Sequence, residues 1–102
     1  MPKAYWVARI DVLNADSYRA YVAANGEALS KYGGRFLVRA GQFQAVEGQS
    51  RSRNIVIEFA DYATALACYR SAEYQRAMAL RQGQCVSDLI IVEGYDGPQP
   101  GA

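Results

Sequence analysis

Two periods of apolar residues alternate along this chain, and their order leaves few folds open. Lys3 to Val12 (KAYWVARIDV) is rich in aromatic and branched residues that alternate from face to face, which reads as a strand. Asn14 then offers a helix N-cap, with Asp16 in the first turn to suit the helix dipole. Tyr18, Tyr21, Val22, Asn25, Ala28, Leu29 and Tyr32 recur at helical spacing, and Gly33-Gly34 ends that helix. Arg35 to Arg39 (RFLVR) is a second strand. Ala40-Gly41 marks a bulge or bend, because Phe43 to Glu47 continues in extended style. After the polar turn Gly48 to Ser52, Arg53 to Phe59 (RNIVIEF) is the third strand. Asp61 caps a second helix that turns Tyr62, Ala65, Leu66 and Tyr69 inward. That helix breaks at Arg70-Ser71, where Ser71 is a fresh N-cap, and a further segment carries Tyr74, Ala77, Met78 and Arg81 as far as Gly83. Asp88 to Tyr95 (DLIIVEGY) is the last strand. The order βαββαβ predicts one ferredoxin-like α+β domain over residues 1–96, an antiparallel four-stranded sheet with both helices on one face. Residues 97–102 (GPQPGA) form a flexible tail.

The faces of that sheet predict a partner. Trp6, Ala8, Ile10 and Val12 share one face of the first strand, and Ile55, Ile57 and Phe59 share one face of the third. In the last strand Ile90 and Val92 oppose Leu89, Ile91 and Glu93. The second face is then assigned Tyr5, Val7, Val56, Leu89 and Ile91, with Arg9, Asp11, Glu58 and Glu93 among them and Leu37 between Arg35 and Arg39. Such a face is too apolar for open water on a small monomer, and the same face of another copy is its simplest cover. Two sheets facing each other make a dimeric α+β barrel with a partly greasy, partly charged interior.

Composition narrows the chemistry. The chain has 102 residues and a net charge of +1, which suits neither a nucleic-acid field nor an acidic tail. The third strand also lacks the basic, aromatic pattern of an RNA-recognition sheet. No apolar run is long enough to span a membrane, and no signal-peptide pattern precedes the first strand, so a cytoplasmic location is expected. Histidine is absent, which removes Ser-His-Asp and Cys-His machinery, histidine-held haem and histidine zinc sites. The two cysteines, Cys68 and Cys85, make no disulfide framework. Cys68 reads as a small buried thiol in an alanine-rich helix. No metal and no cofactor is expected.

The remaining candidates form two groups. Tyr5, Arg9, Arg39, Glu58 and Glu93 are expected to line a polar pocket that orients a small polar or anionic ligand, or else to pair with one another across strands. Arg39 stands out, since a bend beside it would re-aim a guanidinium that grips carboxylates in two-pronged fashion. The second group is Tyr69, Ser71 and Tyr74 at the helix break, with Arg81 two turns from Tyr74, where free N–H groups suit an anion. Arg51 and Arg53 beside the polar turn read as solvated charges.

Several runs resemble the domain-of-unknown-function family 1330. They are Ala4-Tyr5-Trp6, Lys31 to Arg39 (KYGGRFLVR), Ile57-Glu58-Phe59, Tyr69 to Tyr74 (YRSAEY), Ala79-Leu80-Arg81 and Ile91 to Gly94. The resemblance runs from about Lys3 to Gly94. It implies the dimeric α+β barrel group, whose relatives include cofactor-free monooxygenases, lactone isomerases and haem-dependent dismutases. Ala40 stands where that family often has glycine, and Ala72 where it often has proline. The missing histidine removes the haem branch. Three functions stay open: a small-molecule-binding homodimer, a cofactor-free isomerase or monooxygenase in which Glu58 or Glu93 is the base and Arg39 steadies an enolate or carboxylate, and a purely structural dimer.

Overall fold

A computed structural model of the chain describes residues 2–101. The elements are β1 (Ala4–Val12), α1 (Ala15–Lys31), β2 (Arg35–Arg39), β3 (Arg53–Phe59), α2 (Tyr62–Arg70), α3 (Ala72–Ala79) and β4 (Cys85–Glu93). The sheet runs β2-β3-β1-β4 with every neighbour antiparallel. This is the ferredoxin-like α+β arrangement that the alternation of periods predicts.

Local chemistry sets the element ends. The side chain of Asn14 accepts from the Ser17 amide at 3.0 Å, and that of Asp61 from the Thr64 amide at 2.8 Å. Each such cap contributes about 1 kcal/mol. The second helix comes as two segments that meet at Ser71, as its sequence predicts. Ser71 Oγ accepts from the Tyr74 amide at 3.1 Å and donates to the Cys68 carbonyl at 2.7 Å, so one hydroxyl ends α2 and starts α3. Gly33 has φ +71°, which only glycine adopts freely, and a Cβ on Gly34 would press within 3.1 Å of the Phe59 ring.

The core lies between the sheet and the helices. Trp6 and Ile57 are 2% and 4% exposed, and Ala4, Phe59, Leu29, Ala65 and Ala77 are buried around them. Trp6 Nε1 donates to the Ala65 carbonyl at 2.9 Å and so pins α2 to the middle of the sheet. The Trp6 ring packs edge-on against Tyr74 at 4.8 Å and lies 5.2 Å from Phe59. Cys68 is buried with them, and burial, helped by the charge of Glu73, pushes its thiol up to about 12. It is packing material rather than a nucleophile.

Five details differ from the sequence expectations. β4 starts at Cys85, not Asp88, and ends at Glu93. Its register sets Ile91 opposite Trp6 and Leu89 opposite Ala8, so these two pack on the core while Ile90 and Val92 face away. A nearly continuous apolar run cannot report its own facing; pairing with β1 decides it. The bulge falls between Phe36 and Val38 rather than at Ala40-Gly41. Ala40 carries the bend instead, with φ +55°, and its N–H donates to the Asn54 carbonyl at 2.9 Å. Phe43 to Glu47 joins no strand, and Phe43 and Val46 are exposed. Tyr62 turns outward at the start of α2, 41% exposed.

Candidate functional site

Each face of the sheet carries arginines, and their surroundings differ. On the face away from the helices, Arg51 reaches Asp88 at 2.7 Å and Asp11 at 3.0 Å. The Ser52 amide also donates to Asp11 at 2.8 Å, and this bond, followed by Arg51, holds the Asp11 carboxyl below the usual carboxylate range. Lys3 pairs with Glu58 at 3.1 Å, and Arg9 donates to the Gln49 carbonyl at 2.9 Å. Around these lie Tyr5, Val7, Val38, Val56, Ile90 and Val92, an apolar field that includes Ile90 at 59% exposure.

On the helix face a cleft opens between α1 and the sheet. Ala8, Ile10, Ile55 and Leu89 form its floor, and Tyr18, Tyr21, Val22 and Asn25 of α1 form its roof. It encloses about 480 Å³ including its mouth and narrows inside to about 30 Å³ in which the centre of a water-sized sphere fits. Arg39, Arg53 and Arg81 line it, from β2, β3 and the turn after α3. Each guanidinium lies over an aromatic ring: Arg39 over Phe36 at 4.3 Å, Arg53 over Tyr18 at 5.0 Å and Arg81 over Tyr21 at 4.8 Å.

No acidic residue lines this cleft, and none of the three arginines forms a salt bridge among the described residues. The buried side-chain polar atoms without a partner among the described residues are Arg53 Nε, Arg81 Nε and Ser87 Oγ, and all three residues line it. Arg53 and Ser87 are the β3 and β4 partners of Ile10, so they flank it in one transverse row of the sheet. Native interiors leave few such groups unmade, and these three belong to residues of one cleft. Behind the cleft, Tyr74 shares a hydrogen bond with Tyr21 (2.8 Å between hydroxyl oxygens) and accepts from Arg81 Nη2 at 3.3 Å. Burial raises the hydroxyl pKa of Tyr74 and of Tyr18, so both stay neutral donors at working pH.

Of the two groups singled out in the sequence, the first divides between surfaces and the second meets around a buried Tyr74. Tyr5, Arg9 and Glu58 lie on the open face, and Glu93 is exposed at the far end of β4 with Ala4 as its pairing partner. Arg39 sits on the opposite face from them, because the bulge at Leu37 shifts its parity. The helix break offers no open anion site: Ser71 has capped the Tyr74 amide, Tyr74 is fully buried, and Tyr69 donates to Met78 Sδ at 3.5 Å. Arg81 does meet Tyr74, and it joins Arg39 in the cleft.

Arg53, Tyr18, Tyr21, Asn25 and Ser87 were not among the sequence candidates for the site. The signal for Arg53 was in the pattern: it shares parity with Ile55 and Ile57, so a period of two places it on the core face rather than in solvent. Among the described residues there is no group of three or more side chains suited to hold a metal ion, and no helix is long and apolar enough to cross a membrane.

The model of the domain-of-unknown-function family DUF1330 matches residues 3–95. No curated protein matches the chain. A solved structure of a protein of unknown function from Rhodopseudomonas palustris is 20% identical, with a TM-score of 0.75 over 94% of this chain and 85% of that one. A dimeric ferredoxin-like protein of unknown function from a Jannaschia species is 15% identical, with a TM-score of 0.63 over 90% and 99%. SnoaB, a cofactor-independent oxygenase from Streptomyces nogalater, is 10% identical, with a TM-score of 0.62 over 99% and 98%. These likenesses show the fold.

Proposed function

Since this chain belongs to the DUF1330 family, which brings a fold but no activity, we propose a function from the cleft itself: the protein is a homodimer that binds a small organic anion between α1 and the sheet. One observation carries this reading. Three arginines without carboxylate partners, and three buried polar atoms without partners, converge on a single cleft whose lining holds no acidic residue. A charge-assisted, two-pronged contact to a carboxylate or phenolate would supply what those groups lack. The aromatic lining favours a ligand with a flat apolar part.

The second sheet face supports the homodimer. Val7, Val56, Ile90 and Val92 form an apolar field on that face, with Lys3 paired to Glu58 and Arg51 to Asp11 and Asp88 at the rim. The Jannaschia protein of like fold is dimeric. The enzymatic alternative is less well supported. Proton transfer needs a base, and Glu58 and Glu93 both lie outside the cleft.

Calorimetric titration with a panel of small aromatic carboxylates and phenols tests the reading. Binding that falls at least tenfold in both Arg53→Gln and Arg81→Gln is expected. A panel that binds nowhere, or that binds the variants as well as the parent, refutes it.

A further inference from the structure

The cleft holds its positive charge without any negative charge to match, and this has a consequence for what it does to a ligand. We propose that the cleft binds weak oxygen acids, phenols and enols carried on a flat ring, and draws them into their anionic form. This inference rests on the anion-binding reading above and names the ligand class.

Every titratable or charged side chain facing the cleft has the same bias. Arg39 comes from β2, Arg53 from β3 and Arg81 from the turn before β4. From α1 come the hydroxyls of Tyr18 and Tyr21, while β1 contributes only Trp6, Ala8 and Ile10 and β4 contributes Ser87 and Leu89. No carboxylate faces the space, and the Cys85 thiol beside Arg81 is 3.6 Å from its Nη1. A phenol entering here meets three cations and the neutral side chains of Tyr18, Tyr21, Asn25 and Ser87, and no anion. An opposite charge within about 4–6 Å favours the ionised form by roughly 1–3 pKa units.

The lining suits the weak acid's ring. Its floor of Ala8, Ile10 and Leu89 is apolar. The guanidiniums lie on Phe36, Tyr18 and Tyr21, so a flat ring can extend those stacks. Its oxygen would then lie among the guanidinium groups of Arg39, Arg53 and Arg81, which line the cleft together with Ser87. In the step itself the ligand's O–H bond breaks, the electron pair stays on the oxygen, and the proton leaves to water or buffer through the open mouth. No base from the protein is needed, which agrees with the absence of a carboxylate there.

The test uses a chromophoric phenol, 4-nitrophenol, whose phenolate absorbs at longer wavelength than the phenol. Its absorbance is titrated with pH in the presence of saturating protein, and benzoate binding is measured alongside. The expected result is an apparent pKa lowered by roughly 1–3 units when bound. Each unit corresponds to tenfold tighter binding of the phenolate than of the phenol. The shift should shrink by half or more in Arg53→Gln and in Ser87→Ala, each checked for native circular dichroism. Arg19→Gln, exposed on α1 and paired with Asp16, should leave it unchanged. Binding of 4-nitrophenol without a shift overturns this inference and leaves anion binding standing. So does binding of benzoate alone. Failure of both ligands to bind overturns both readings.

Discussion

The two faces of one sheet use the same residue type in opposite ways. On the open face Arg51 is held by Asp11 and Asp88 and Arg9 by the Gln49 carbonyl. On the helix face Arg39, Arg53 and Arg81 stack on rings and pair with no carboxylate among the described residues. Arg9 and Arg51 are half-buried and meet acceptors, Arg35 is exposed on the same face without a salt bridge among the described residues, and in the cleft Arg39 is exposed while Arg53 and Arg81 are half-buried without a carboxylate. Exposure is therefore a poor guide to an arginine's role; the question is what its N–H groups meet. Paired arginines at a rim contribute little to stability and orient whatever covers the face. Arg53 and Arg81, half-buried without a carboxylate, carry a desolvation cost that the exposed Arg39 does not.

The largest expected effect on folding stability separates the faces by burial. Ile57→Ala empties a core position that is 4% exposed and should cost about 2–5 kcal/mol in chemical denaturation. Val56→Ala, one residue along and on the open face, should cost the isolated chain less than about 1.5 kcal/mol. Equal losses would break the contrast between core and docking face.

Next, Ile90→Glu places a carboxylate where the proposed two-fold interface needs an apolar surface. Association should weaken by about 3–5 kcal/mol for the uncompensated charge. Light scattering at low micromolar concentration should give twice the 11.2 kDa chain mass for the parent and the single mass for the variant. A parent that is already monomeric would end the dimer proposal.

Arg39→Ala beside Arg9→Ala tests the cleft arginine against the rim arginine. Loss of Arg39 should weaken ligand binding at least tenfold, about 1.4 kcal/mol, and change stability by no more than about 0.5 kcal/mol. Loss of Arg9 should leave ligand binding alone. A drop of several kcal/mol in the stability of Arg39→Ala would make it a structural residue.

The smallest effect distinguishes the faces by pH. Asp11 on the open face is held low by the Ser52 amide and then by Arg51, and Glu73 is held low chiefly by Lys31. A folded pKa below the unfolded one gives stability that is complete above about pH 4 and lost as pH falls through the depressed value. Acid should therefore destabilise the parent protein gradually below pH 4, and Arg51→Gln should flatten part of that slope. An unchanged slope in Arg51→Gln would mean that the Asp11 contact carries no linkage.

Much of the fold was legible because it depends on short-range patterns. The helix stripe from Tyr18 to Leu29, the caps at Asn14, Asp61 and Ser71, and the stop at Gly33-Gly34 all appear as read, since each is a contact within one element or across one turn. The site was less legible. The sequence points to Arg81 with Tyr74, gives Arg39 companions on other surfaces, and reads Arg53 as solvated although its parity with Ile55 places it on the core face.

By itself the sequence determined the order of elements, the inward faces of β1 and β3, and the chemistry denied to a chain without histidine, because periodicity and composition are properties of the linear chain. Only the tertiary structure decided which way β4 faces, where the β2 bulge falls, and that three arginines distant in sequence share one cleft without a carboxylate. Those outcomes depend on pairing between strands, where a shift of one residue turns every side chain to the other face, and no local pattern contains that register.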